Sequence, residues 1–104
     1  MAFKIGEVLN DMAAAAAKVL GSDWPKAGAC LKIALRNERD ALKDIAQARI
    51  DKKITNAEMR EQLADEKETV KAALLTCEVI GKVAAQKAVN AAVRVLVDAI
   101  RAAV

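Results

Sequence analysis

Apolar residues recur at intervals of three and four from Ile5 to Ile100, and only three short stretches interrupt them. A period near 3.6 lines one face of a helix, whereas a half-buried strand needs strict alternation, so the pattern points to an all-α chain. The interruptions are GSDWP at residues 21–25, the link at 53–55, and Gly81. Composition agrees, because Ala occurs 24 times while the chain has one Phe, one Trp, one Pro and no Tyr. Such a chain is rich in strong helix formers and almost lacks the aromatic residues that favour sheets. Its 104 residues suit a single helical domain with a real core.

The interruptions divide the chain into helices at about 2–20, 25–52, 56–80 and 82–103. Helix 1 aligns Ile5, Val8, Leu9, Met12, Ala16, Val19 and Leu20. Gly21 then offers a helix stop, Ser22 and Asp23 are N-cap candidates, and Pro25 is tolerated in a first turn. Helix 2 carries Leu31, Leu35, Leu42, Ile45 and Ala46 on its stripe. TNAE at 55–58 has the form of a capping box and starts helix 3, whose stripe is Met59, Leu63, Val70, Ala73, Leu74, Cys77 and Ile80. The short link at 53–55 makes helices 2 and 3 antiparallel neighbours, so residues whose numbers sum to about 107 lie level.

Gly81 decides between two architectures. The stripe of Val89, Val93, Leu96 and Ile100 lies roughly 120° around the helix from the stripe beginning at Met59, which a straight continuous helix would not produce. A turn at Gly81 and an up-down antiparallel four-helix bundle built on a long charged hairpin is therefore expected. The alternative is a three-helix arrangement with helices 3 and 4 continuous.

Charge is unevenly spread. Residues 36–71 hold nine basic and nine acidic residues, against four and three before them and four and two after. The hairpin tip reads as a self-compensating, solvated pair of helices, with apolar surface gathered at its base and on helices 1 and 4. In helix 4, Asn90, Arg94, Asp98 and Arg101 occupy under about 90° of the wheel, leaving most of the circumference apolar. That predicts neighbours beyond a monomeric bundle, with Val89, Val93, Leu96, Val97 and Ile100 as an oligomer or partner interface.

Two carboxylates break the hairpin stripes. Glu38 sits between Leu35 and Leu42, and Glu66 between Leu63 and Val70. Offset by about three residues, or roughly 4.5 Å along the axis, the two could form a carboxylate pair that shares a proton or holds a cation. The preferred expectation is different: helices 1 and 4 leave this part of the hairpin uncovered, the carboxylate heads reach water or nearby Lys and Arg, and their stems set register. Arg49 falls opposite Glu58 in the same scheme. No metal and no cofactor are expected, since the chain has no His and two carboxylates are too few ligands for a transition metal.

Cys30 and Cys77 also lie level across the hairpin. A disulfide is conceivable, although Cys30 is about 80° from the centre of its stripe, and free thiols are the default. Trp24 is expected to cap the open end of the bundle.

These features exclude His-dependent hydrolysis and provide no Gly-rich phosphate loop, Cys-x-x-Cys or zinc-finger pattern. A net charge of +3 between 17 basic and 14 acidic residues gives no reason to expect nucleic acid. The expected role is a non-enzymatic interaction or assembly module, partnered by a second copy or another helical protein. Alternatives are a bundle that binds a small apolar ligand between its Ala residues, and a peripheral membrane-surface binder using helix 4. With no secretory h-region and no span of about 18 uncharged apolar residues, the default compartment is the cytoplasm.

Overall fold

In the computed structural model, which describes residues 3–78 and 80–104, every regular element is helical. The order is α1 (Ile5–Leu20), a 3₁₀ turn (Gly21–Asp23), α2 (Trp24–Asn37), α3 (Arg39–Ile50), α4 (Asn56–Thr76) and α5 (Lys82–Ala103). The expected helix 2 is thus bent at Glu38 into α2 and α3, which together form one arm of an up-down four-helix bundle. The long dimension of the molecule is 38 Å, close to the roughly 33 Å that a 22-residue helix such as α5 spans.

Each connection has a local cause. At the hairpin tip the capping box is complete: the Glu58 N–H donates to Thr55 Oγ1 at 3.1 Å, and the Thr55 N–H donates to Glu58 Oε1 at 2.9 Å. Just before it, α3 closes with Lys52 at φ 61°, where the Lys53 N–H reaches the Ala48 carbonyl and the Lys52 N–H that of Arg49. These two bonds define a Schellman turn, with a lysine at the left-handed position that glycine usually takes.

At the base, Gly21 adopts φ 53° and stops α1, but neither Ser22 nor Asp23 caps α2. Asp23 is already in a right-handed helical conformation, because the 3₁₀ turn feeds straight into Trp24. An N-cap side chain needs extended backbone, so none can act there.

Helix α4 ends at Thr76, earlier than the spacing predicts. The left-handed residue is Glu78, with φ 56°, while Gly81 is extended and stands at the N-cap of α5. The chain therefore turns before Gly81 rather than on it, and helices 3 and 4 are separate. The expected start of helix 1 at residue 2, and Val79 in the expected helix 3, lie outside the described residues.

Helix α1 packs mainly along α5, α2 and α3 pack on α4, and α4 packs on α5, which leaves α1 and α4 on a diagonal. Phe3 and Lys4 share a cleft with Ala102 and Ala103, and Val19 shares one with Lys87 and Ala91, so α1 and α5 are antiparallel along their length. Buried alanines stand on both helices, Ala16 on α1 and Ala85, Ala88 and Ala92 on α5. Side chains this small let two backbones approach closely.

Candidate functional site

The seam between α2/α3 and α4 holds the groups that carry chemistry. Leu31, Leu35 and Leu42 on one arm and Met59, Leu63, Val70 and Leu74 on the other are buried along it. Glu38 occupies the bend, with φ −98° and ψ 7°. The hydrogen-bond ladder is strained there but not lost, since the Glu38 N–H still reaches the Ala34 and Leu35 carbonyls at 3.2 Å and the Leu42 N–H reaches the Glu38 carbonyl at 2.9 Å. Neither Pro nor Gly is present at the bend. The weak helix formers Asn37 and Asp40 flank it, which lowers the resistance of this segment to bending.

The structure brings Glu38 and Glu66 together. Oε2 of Glu66 is shut off from water and has no hydrogen-bond donor near it. Burial pushes the Glu66 carboxyl up to about 7, and the neighbouring Glu38 carboxyl and the charge of Asp65 push in the same direction. An ionised carboxylate can only accept, so two of them facing each other repel and leave an oxygen unsatisfied. A single proton shared between them removes both penalties.

For one oxygen of Glu66 this departs from the expectation that both heads reach water or nearby Lys and Arg. Its premise was a bare hairpin, yet α5 runs back to the tip, where Arg49, Asn56 and Met59 share a cleft with Ile100 and Arg101. Among the described residues no group of three or more His, Cys, Asp or Glu side chains could hold a metal ion. A protonated Glu66 carboxyl has an O–H to donate toward Glu38, which an ionised one lacks.

Cys30 and Cys77 are disulfide-bonded, with Cα atoms 6.6 Å apart. Their bond lies at the edge of the seam rather than within it. Because α4 stops at Thr76, Cys77 stands just past the helix end and is exposed, whereas its spacing predicts an inward position. Cys30 is half-buried. The two line an open groove of about 160 Å³ with Ile33, Ala34, Asn37 and Ala73. Ile33 is 54% exposed. The level pairing of the two cysteines was legible in the numbering; their position at the seam's edge depended on the early end of α4.

The residues expected at an oligomer interface lie inside the chain's own core. Val89, Val93, Leu96 and Ile100 are at most 5% exposed, and Val97 packs partly buried against them. Helix α5 meets α1 and α4 as neighbours and also touches α3, so its broad apolar face is covered from within the chain. The side chains left in solvent are different ones: Val19 is 44% exposed, although its spacing places it on the inner stripe of helix 1, and Val83 is 70% exposed. A cue for Val83 was available, since Val83, Lys87, Asn90 and Arg94 recur at helical spacing on a mostly polar face.

Trp24 packs partly buried against the core at the base of the bundle. Its indole lies over Gly28, where an added Cβ would stand 3.0 Å from the ring, and Lys32 Nζ is 5.7 Å from the ring centroid. A side chain at 28 would press on the indole, which would have to give way, and the ammonium above the ring face is an attractive arrangement.

Compared with protein families, with curated proteins and with solved structures, the chain matches none.

Proposed function

We propose that this chain is a non-enzymatic helical interaction module that assembles with a second copy of itself through the outer face of α1 and α5 near the base of the bundle. The observation that carries the reading is the exposure of Val19 and Val83 on adjoining helices. Val19 borders a surface cleft of about 360 Å³ with Lys87, Asn90, Ala91 and Arg94. Val83 lies one helical turn before Lys87 on the same face of α5. An apolar strip with a cationic edge suits a helix that presents aliphatic side chains beside carboxylates, and the charge-laced hairpin of a second copy has that chemistry. This surface replaces the stripe from Val89 to Ile100, whose side chains are occupied within the chain.

Sedimentation equilibrium at tens of micromolar tests the proposal. A species heavier than the 11.1 kDa chain is expected, and Val19→Glu combined with Val83→Glu should return it to monomer without loss of helix. A strict monomer for the unaltered protein would overturn the reading.

No helix among the described residues is long and apolar enough to cross a membrane. The cytoplasmic placement expected from sequence is part of the same proposal. A bonded cysteine pair sets a condition on it, because reducing compartments keep lasting disulfides rare. In the cytoplasm the Cys30–Cys77 bond would be a state that the chain enters and leaves.

A further inference from the structure

We propose that the Cys30–Cys77 disulfide is a thiol–disulfide exchange site, opened by attack of a dithiol reductant on the sulfur of Cys77. The two sulfurs differ in access. Cys77 is exposed beyond the last residue of α4, whereas Cys30 is half-buried on α2 and packs against the core. Exchange requires the incoming thiolate, the attacked sulfur and the leaving sulfur to be nearly in line, so the attacked sulfur must be open on the side away from its partner. Cys77 is the more open of the two residues to an approach from solvent, whereas Cys30 is half-buried against the core.

The surroundings favour the same step. The groove that holds the bond is open to solvent and lined by Ile33, Ala34, Asn37 and Ala73, so an incoming thiol meets a mostly apolar rim. Past Thr76 the backbone leaves the regular helix in a turn, with the Cys77 N–H on the Leu74 carbonyl at 3.2 Å, the Glu78 N–H on that of Leu75 at 3.1 Å, and Glu78 in a left-handed conformation.

In the first step a reductant thiolate forms a bond to Cys77 Sγ, the Cys30–Cys77 bond breaks, and the electron pair leaves on Cys30 Sγ as a thiolate that takes a proton from water. In the second step the other thiol of the reductant, after losing its proton, attacks its own partner sulfur in the mixed disulfide and expels Cys77 as a thiolate, which is then protonated. The protein gains two electrons and two protons, and the dithiol becomes a disulfide. The covalent tie between α2 and the end of α4 is released, while the buried core side chains are untouched.

Glutathione, a monothiol, reports the first step within a short pulse, because releasing Cys77 then takes a second, bimolecular attack by another glutathione. The folded protein is pulsed with excess glutathione in buffer without denaturant, quenched with an alkylating agent, digested and mapped by mass. The expected result is glutathione on Cys77 and the alkyl group on Cys30 in most of the opened molecules. Glutathione mainly on Cys30 would overturn the proposal. So would a bond that opens only at the rate of global unfolding, measured in parallel by hydrogen exchange of the core amides.

Discussion

The two sides of the bundle solve the same packing problem with different means. Between α1 and α5, small side chains bring the backbones close, and Met12, Val89 and Leu96 fill the remaining space without a buried polar group. Between α2/α3 and α4, larger side chains hold the helices apart, a carboxyl pair interrupts the seam, the arm bends at the interruption, and a disulfide ties the base. The first interface is uniform and closes by dispersion and water exclusion alone. The second trades uniformity for groups that respond to pH and to thiols. One side is thus expected to be indifferent to solution conditions that alter the other.

The sharpest test of the uniform side is Leu96→Glu. Leu96 is fully buried on α5, and a carboxylate there would have no partner. Loss of the apolar side chain together with burial of a charge exceeds about 4 kcal/mol, a large share of the 5–15 kcal/mol that stabilises a typical domain. Circular dichroism should show loss of cooperative unfolding. A variant that stays folded and merely changes oligomeric state would restore Leu96 to the surface and break the comparison.

On the seam side, Cys30→Ala with Cys77→Ala removes a tie across 47 residues of chain. Chain entropy assigns such a loop about 4 kcal/mol, and measured native disulfides fall at about 2–5 kcal/mol. Guanidinium unfolding should show the midpoint falling by that equivalent, with reductant lowering the unaltered protein to the same level and leaving the variant unchanged. If reductant destabilised the variant equally, the effect would not come from this bond.

What could be read before folding divides along the same line. The helical class, the antiparallel order, the capping box at Thr55 and Glu58, and the level placement of Cys30 with Cys77 all follow from local spacing or chain direction. The α5 surface was misread for a different reason. A wheel reports which residues are apolar, but whether neighbours inside the chain suffice depends on helix separation, and that is set by where Ala on α1 meets Ala on α5. For the glutamates the mutual offset was legible, but the shielding of one Glu66 oxygen depends on side-chain packing that spacing along the chain does not report. Early termination of α4 came from Glu78 taking a left-handed conformation, for which glutamate carries no signal.

The next test separates the sides by pH. Glu66 has a folded-state value raised from 4.5 to about 7, so between these limits the folded protein holds a proton that the unfolded chain has lost. Stability from this group is fully present below about 4.5 and is lost as pH rises through about 7. Glu66→Gln should remove that slope and stabilise the protein at pH 7.5 by about 1–2 kcal/mol, a figure reduced for the water that still reaches part of the side chain. Glu58 works in the opposite sense, since hydrogen bonds from Thr55 hold its carboxyl below the ordinary value and its contribution fades as pH falls. Urea unfolding of both proteins from pH 4 to 8 makes the comparison. Parallel curves would show that Glu66 is not a buried member of a pair.

The smallest expected effect lies in the turns, which also differ between the two sides. Leaving α1, the chain uses Gly21 at φ 53°, whereas leaving α3 it uses Lys52 at φ 61°. A side chain with a Cβ in the left-handed region costs about 1–2 kcal/mol, and glycine avoids this but gives the unfolded chain more freedom to lose. Lys52→Gly keeps both Schellman hydrogen bonds and removes only an exposed side chain, so a net gain of about 0.5–1 kcal/mol is expected. Gly21→Ala should have the opposite sign, although its Cβ would touch nothing within 4 Å, because the strain there is in the backbone rather than in space. Chemical denaturation of the two variants beside the unaltered protein reads both signs together. If Lys52→Gly lowered the midpoint, the turn at the hairpin tip would be held by the lysine side chain, and the difference between the two turns would not be one of backbone conformation.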